Sequence, residues 1–381
     1  MNMVDASKLK FQICERCIMD TTASEIKFDE GGICNYCNDF INLKRIFNLN
    51  KDQKSKKLAN LIKNIKNDGF KKPYDCIVGV SGGVDSSYVL SLVKKEGLRP
   101  LAVHMDNGWN SELAQNNIAN IVKRLDIDLY THVIDWEEYR NIMSAFFKSD
   151  VIDVELLYDN AMLAVNYQLA KKYKLKYILS GTNTSTEGIK IPSNWSWFKN
   201  DALNIKYLTK KFSNQKIKTF PLFGTFDFIY YEIINKIKWI PFLDYYEYNK
   251  DNAVNHLVKN YGFKPYPYKH YESIFTRFYQ AYILPKKFSV DKRKLHLSNL
   301  IITDQMTRKE ALRLMQQSSY PSEKEEQIDI KYFLKKMDWD ISNLNEYLDR
   351  PEIPHDKYKS EIKRWEFLKK TYLLVKNVFK K

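Results

Sequence analysis

Residues 74–87, Tyr-Asp-Cys-Ile-Val-Gly-Val-Ser-Gly-Gly-Val-Asp-Ser-Ser, constrain the fold more than any other stretch. Tyr74 to Val80 is apolar and β-branched, Ser81 to Ser87 is small and polar, and Tyr88 to Val93 is apolar again. That succession predicts a buried strand, a tight glycine turn and a helix start. Gly82 and Gly83 can take backbone angles closed to other residues and let backbone N–H groups approach an anion. The following helix points its positive end at the same place. Ser81, Ser86 and Ser87 add hydroxyl donors, and Asp85 adds a carboxylate suited to Mg²⁺. Val84 completes a loop built to cradle pyrophosphate. It is not a Walker A loop, since no Gly-Lys-Ser/Thr follows at the required spacing.

The stretch Ser-Gly-Gly-Val-Asp-Ser-Ser resembles the PP-loop of the ATP pyrophosphatases, which include asparagine, GMP and NAD synthetases and tRNA-thiolating enzymes. The resemblance implies cleavage of ATP between its α and β phosphates, with a carbonyl oxygen activated as its adenylate.

Two further blocks frame this centre. Cys14-Glu15-Arg16-Cys17 and Cys34-Asn35-Tyr36-Cys37 are separated by 16 residues, 18–33. This is the spacing of a closed four-thiolate zinc site, structural because it leaves no position for a substrate. Phe28 to Ile33 reads as a small hairpin between the knuckles of a zinc ribbon. Asp39 to Asp68 carries a broken helical stripe and is expected as one long helix. After the central loop, strands are expected at 100–105, 129–134 and 176–179, alternating with helices at 111–125, 136–147 and 159–173. That alternation implies an α/β fold with a parallel sheet covered on both faces. Ligands of such sheets sit at the carboxyl ends of the strands. The three distinctive turns, 81–87, 104–109 and 180–188, all fall there.

In PP-loop enzymes the end of the second strand holds adenosine, which here suggests His104, Met105 and Asp106. Gly181, Thr182 and Asn183 resemble the Gly-Thr-Asn segment of NAD synthetase, beside the α-phosphate. Glu187 is a candidate second Mg²⁺ ligand, and Lys190 a candidate to neutralise the leaving pyrophosphate. Residues 226–239 read as a largely buried aromatic helix. A basic helix, 358–379, closes the chain and fits a packing face or a membrane surface.

The chain has 381 residues and 44% hydrophobic residues, enough for two or three domains. Its net charge of +15 favours anionic partners, nucleotides, nucleotide-sugars and nucleic acid among them. No apolar run approaches the ~20 residues of a spanning helix. No secretory leader is read, so the expected compartment is cytoplasmic.

The order of motifs sharpens the resemblance. Cys14-x-x-Cys17-Ile18-Met19-Asp20-Thr21-Thr22, the second cysteine pair and the 81–87 loop are followed by Lys269-His270-Tyr271-Glu272-Ser273, by Phe288-x-x-Asp291-Lys292-Arg293, and by Thr307-Arg308-x-Glu310-Ala311. This looks like the N-acetyl sugar amidotransferase family of O-antigen and flagellar-sugar biosynthesis, including pseudaminic and legionaminic acid pathways. The resemblance implies ATP-dependent conversion of a sugar acetamido group to an acetamidino group, with Asp85, Ser86, Lys190, Lys269 and Arg293 serving the chemistry. Lys269, His270, Glu272, Ser273, Arg277, Asp291, Lys292 and Arg293 would bind the acceptor. The implied cofactors are ATP, Mg²⁺ and structural zinc. Four cysteines are spent on zinc and Cys76 sits in the central strand, so no thiol remains for a glutaminase. Ammonia is therefore expected from a separate glutaminase subunit, and a homo-oligomer is possible. The expected organisation is a zinc ribbon (1–45), a linking helix (46–72), a PP-loop ATP-binding domain (73–245) and a mainly helical acceptor or partner region (246–381). The competing reading is a tRNA-thiolating enzyme. It would suit the charge, but such enzymes generally need a further free cysteine.

Overall fold

The computed structural model describes residues 11–47, 51–213, 215–266 and 271–378. A five-stranded, wholly parallel sheet organises them, with spatial order β3-β2-β1-β4-β5. Its strands are β1 (Cys76–Gly79), β2 (Pro100–Asp106), β3 (Leu129–Val133), β4 (Tyr177–Ser180) and β5 (Lys238–Pro241). The helices before and between them are α1 (Asn35–Phe47), α2 (Lys51–Gly69), α3 (Val84–Lys95), α4 (Glu112–Leu125), α5 (Trp136–Ser149), α6 (Leu156–Lys172), α7 (Thr184–Glu187), α8 (Ala202–Ser213) and α9 (Thr225–Phe228). Beyond the sheet come α10 (Lys250–Tyr261), α11 (Ile274–Phe278), α12 (Leu284–Phe288), α13 (Arg293–Ile302), α14 (Arg308–Met315), α15 (Glu323–Met337), α16 (Ile341–Asp349) and α17 (Ile362–Val378).

The two-residue period of the strands splits the interior. Ile77, Leu101, Val103, Met105 and Ile178 face one core, which continues through α5, α6 and the C-terminal helices to the four N-terminal cysteines. Cys76, Val78, Ala102, Tyr177 and Leu179 face a second core, closed by α3, α4 and α10. Local chemistry sets the helix ends. Ser111 Oγ accepts from Ala114 N–H to start α4, Asp135 accepts from Glu138 N–H to start α5, and Thr307 accepts from Glu310 N–H to start α14. Asp126 and Asp150 end α4 and α5 in the left-handed region.

The helix expected over 39–68 is helical wherever it is described, in α1 and α2, and 48–50 lie outside the described residues. One expectation is corrected. The buried helix foreseen over 226–239 is the short α9, a π-helical turn over Ile229–Ile234 and then β5. Phe226, Ile233 and Ile234 are exposed, whereas Phe228 packs on Trp365 of α17 and Tyr231 stacks on Tyr167. No helix among the described residues is long and apolar enough to cross a membrane.

Candidate active site

Every strand of a parallel sheet points the same way, so the segments after β1, β2, β4 and β5 gather at one edge. At its centre is the 81–87 loop. Gly82 sits at φ +82°, and a Cβ there would lie 2.6 Å from Ala114 O of α4. Only glycine allows that turn so close to the neighbouring helix. Gly83 N–H donates to Ser81 Oγ (3.3 Å), and Ser81 N–H to Ser86 Oγ (3.3 Å), which curls the loop over the start of α3. No described side chain caps α3, so its first-turn N–H groups serve the pocket that Val84, Asp85 and Ser86 line. Ser87 is buried inside α3 and lines no cavity wall with them. From β4, Gly181 lies so near the loop that a Cβ would come within 2.9 Å of Asp85 C and Ser86 N. Tyr266 OH closes the other side by donating to Gly82 O at 2.9 Å.

The resulting pocket, about 250 Å³, is also lined by Thr182, Glu187, Lys250 and Glu272. Asp85 and Glu187 supply the hard oxygen donors that Mg²⁺ takes alongside phosphate oxygens, so the residues present fit that ion. The glycine-walled space and helix start fit a pyrophosphate. Tyr248 OH donates to Asp85 Oδ1, and burial together with that carboxylate pushes the phenol's pKa far up.

A larger cleft of about 1090 Å³ opens beside the pocket and shares Ser81, Thr182, Glu187, Lys250, Tyr266 and Glu272 with it. Glu272, Ser273, Arg277, Lys292 and Arg293, all expected at an acceptor site, line it together with Asn183. Asp291 lies behind them and grips Arg293 through Nε (3.1 Å) and Nη2 (2.7 Å). The Arg277 guanidinium forks onto Asp329 and lies 4.6 Å from the Tyr271 ring centroid. Burial alone would lower the Arg277 pKa, but Asp329 more than offsets it and the value rises. Lys292 Nζ meets Glu155 at 2.7 Å. Deeper in, Lys199 bridges Asp153 (2.7 Å) and Asp159 (2.9 Å). Burial alone would raise the Asp153 carboxyl, but Lys199 and Lys292 outweigh it and hold the pKa below the usual range.

Of the other expected residues, His104, Met105, Asp106 and Lys190 line neither space. His104 is buried, with Nδ1 2.9 Å from Val80 O and Nε2 3.1 Å from Asn110 Nδ2, and Met105 lies in the core. Asp106 accepts from Gly108 N–H and Asn110 Nδ2, and from this strand end Asn107 and Asn110 reach the cleft. Lys190 is exposed, 3.7 Å from Glu25 on the outer surface. Lys269 and His270 fall outside the described residues. Residues that sequence reasoning missed include Glu155, Lys199, Asp244, Tyr248 and Lys250. Asp244 accepts from Thr184 N–H (2.7 Å) and so anchors α7. Only the acidic pair flanking Tyr158 and the position of 244–250 after an unrecognised strand could have signalled them.

The cysteines form the expected metal site. The sulfurs of Cys14 and Cys37 are 3.8 Å apart, those of Cys17 and Cys34 3.7 Å, and all four lie within 4.8 Å of one another. A tetrahedron of ~2.3 Å zinc–sulfur bonds has edges of about 3.8 Å. Backbone N–H groups of Cys17, Met19 and Cys34 point at sulfur, as thiolates require. All four residues are fully buried, so a zinc ion here would be structural.

Residues 272–372 match the family described as LPS biosynthesis protein WbpG-like, C-terminal domain, and residues 54–212 match NAD synthase. No curated protein matches the chain. Among solved structures, the NH3-dependent NAD synthetase from Campylobacter jejuni, in complex with the nitrate ion, is 12% identical with a TM-score of 0.34, covering 68% of this chain and 95% of its own. NMN synthetase from Francisella tularensis is 16% identical with a TM-score of 0.30, covering 59% of this chain and 100% of its own. A predicted subunit of tRNA methyltransferase from Methanocaldococcus jannaschii is 16% identical with a TM-score of 0.28, covering 48% and 75%. A buried four-cysteine cluster, a parallel sheet carrying Ser81 to Ser87 within the segment that matches NAD synthase, and a helical region that matches from Glu272 onward make the chain similar to WbpG-like PP-loop proteins of lipopolysaccharide biosynthesis.

Proposed function

We propose that the protein is an ATP-dependent amidotransferase that converts the acetamido group of a sugar, nucleotide-linked or nonulosonic, into an acetamidino group and releases AMP and pyrophosphate. The observation that carries this reading is the shared wall. The phosphate-sized pocket and the larger polar cleft have six lining residues in common, so an acceptor in the cleft meets the α-phosphate of a nucleotide in the pocket.

An amide carbon is a poor electrophile. Attack of its oxygen on the α-phosphorus forms one P–O bond and expels pyrophosphate, and loss of the amide proton leaves an O-adenyl imidate. Ammonia then adds to the carbon, the C–O bond breaks, and AMP departs with that oxygen. Ser81, Gly82, Gly83, Ser86 and the start of α3 hold the departing pyrophosphate through preorganised donors. Mg²⁺, held by Asp85 and Glu187, would offset charge on the phosphate oxygens. Thr182 and Asn183 border the reacting phosphate, and Lys250, which lines both spaces, neutralises charge between them. Glu272, Arg277, Lys292 and Arg293 orient the acceptor. Lys190 faces outward and is assigned no part in the step.

The ammonia comes from a partner glutaminase. Four cysteines are committed to the metal cluster, and Cys76 is fully buried, with burial pushing its thiol pKa up. None of the five is a competent nucleophile. Mass spectrometry tests the whole reading. Protein, ATP, Mg²⁺ and excess ammonium are incubated with a panel of free and nucleotide-linked acetamido sugars. A product in which one oxygen has been exchanged for NH, formed with stoichiometric AMP, is expected. Zinc-replete protein that forms no such product with any member, with ammonium or with glutamine plus glutaminase, refutes it.

A further inference from the structure

We propose that Tyr248 is a positioning residue that sets the Asp85 carboxylate for Mg²⁺-dependent nucleotide binding. The proposal deepens the reading of the 81–87 pocket as an ATP site and rests on it.

Tyr248 belongs to a short segment that follows the edge strand β5. That segment is pinned on both sides of the phenol. Upstream, Phe242 and Leu243 are buried in the α3 core, Asp244 holds the start of α7, and Tyr246 OH donates to Glu96 Oε1 at 3.0 Å. Downstream, Asn249 caps α10 by accepting from Asn252 N–H at 3.0 Å. The Tyr248 ring is itself held, 5.9 Å from the Tyr88 ring, which in turn meets His256 of α10 edge-on at 5.7 Å. The ring is therefore fixed by packing, and its hydroxyl reaches Asp85 Oδ1 from a rigid base. A hydrogen bond to an ionised carboxylate is short, directional and strong. Here it dictates which way the carboxylate faces at the mouth of the phosphate pocket. Outer partners of this kind typically govern how well a ligating group holds its metal.

The test separates the hydroxyl from the ring. Binding of α,β-methylene-ATP, which cannot be cleaved between its first two phosphates, is measured by calorimetry in Mg²⁺ and in EDTA for the full chain, for Tyr248→Phe and for Asp85→Asn. Tyr248→Phe should weaken Mg²⁺-dependent binding and raise the Mg²⁺ half-saturation about 10- to 100-fold, while changing binding in EDTA by less than about twofold. Asp85→Asn should abolish the Mg²⁺ dependence, and adding Tyr248→Phe to it should cost nothing more. Unchanged or tighter binding by Tyr248→Phe overturns the proposal. An equal loss with and without Mg²⁺ also overturns it, because that is the mark of a structural role. Asp85→Asn with its Mg²⁺ dependence intact overturns the underlying site reading instead.

Discussion

Replacing Arg308 by methionine should loosen the acceptor cleft and leave the phosphate pocket intact. Arg308, on the first turn of α14, donates from Nε to Cys17 O (3.0 Å) and Cys14 O (3.2 Å), and from Nη2 to Cys14 O (2.9 Å). It clamps the metal-site module onto the C-terminal helices. That module in turn braces both walls of the cleft. Lys294 of α13 pairs with the buried Asp20 at 2.6 Å, and Ile18 N–H donates to Ser298 Oγ at 3.2 Å. On the opposite wall, Asn194 Nδ2 (3.0 Å) and Trp195 Nε1 (3.2 Å) both donate to Thr22 O. A hydrogen bond from a charged donor contributes about 1.5–3 kcal/mol, and losing it leaves carbonyls short of a partner. The shared Nε reduces three contacts to about two bonds, and water recovers part at the partly buried guanidinium, so about 2–3 kcal/mol is lost. That raises the undocked population roughly 30- to 140-fold.

Hydrogen exchange read by mass spectrometry follows that population directly. Exchange should quicken by up to that factor in 189–196 and 293–302, the two braced walls. It should hold steady in 84–95, because α3 belongs to the opposite core. Methionine keeps the aliphatic packing of the stem, so the effect reports the lost bonds. Faster exchange confined to 12–37 would refute the bracing argument. An equal rise in α3 would refute it as well, since the clamp would then serve the whole fold.

Stripping the metal with a strong thiolophilic chelator should lower the melting temperature and release zinc stoichiometrically, with exchange rising first in the same two walls; retention of wild-type melting after zinc release would contradict a structural site. Gly181→Ala sets a Cβ 2.9 Å from two backbone atoms of the loop, so it should cost about 1–3 kcal/mol in a melt. The same change should weaken nucleotide binding by up to about 100-fold, whereas Gly31→Ala, with 3.5 Å to its nearest neighbour, should do neither. Lys199→Met leaves the buried Asp153 without its main counter-charge and should cost about 3–5 kcal/mol at pH 7. The sign with pH is specific. In the native protein the depressed Asp153 pKa contributes stability above its unfolded value near 4, lost as pH falls through the folded value. In the variant burial prevails and raises that pKa, so denaturant titrations should show the deficit shrinking as pH falls from 7 towards 4. A deficit independent of pH would refute the pairing.

The first four strands were legible because each is a run of apolar and β-branched residues ending in a turn signal. Cys76 to Gly79 runs into glycines, and Tyr177 to Ser180 runs into Gly181. β5 was not, for a physical reason. Lys238-Trp239-Ile240-Pro241 is a four-residue edge strand that pairs only with β4, so it needs no continuous apolar run and tolerates a proline. The aromatic stretch before it looked like a buried helix, yet Phe226, Ile233 and Ile234 face outward. Aromatic density says that surface is apolar and does not say which residues a π-turn will rotate inward. Missing β5 also hid the segment it delivers, and with it Tyr248 and Lys250.

The same distinction runs through the site. The cradle and the cysteine pairs are local: glycine, hydroxyl and thiol spacing in one short stretch decides the geometry. The cleft is not. Arg277, Lys292 and Arg293 stood out as cations fit for phosphates, but their counter-charges, Asp329, Glu155 and Asp291, include partners far away in the chain. Folded, the described residues that line the cleft include Lys199, Lys250, Arg277, Lys292 and Arg293 against Glu155, Asp159, Glu187, Asp244 and Glu272, so charges of both signs meet there. The +15 of the whole chain therefore does not describe its interior. A ligand held by bulk positive charge would bind through unsatisfied cations and let go as salt rises. Within this lining Lys199 pairs with Asp159 and Lys292 with Glu155, so part of the charge is already matched and the hydrogen bonds still on offer suit the polar groups of the proposed acceptor. Contacts also run across the boundaries expected between segments. α10, beyond position 245, closes the core behind the phosphate loop, and the N-terminal metal module is locked to α13 and α14. Segments far apart in sequence complete each wall, so the acceptor cleft exists only when the whole chain is folded around it.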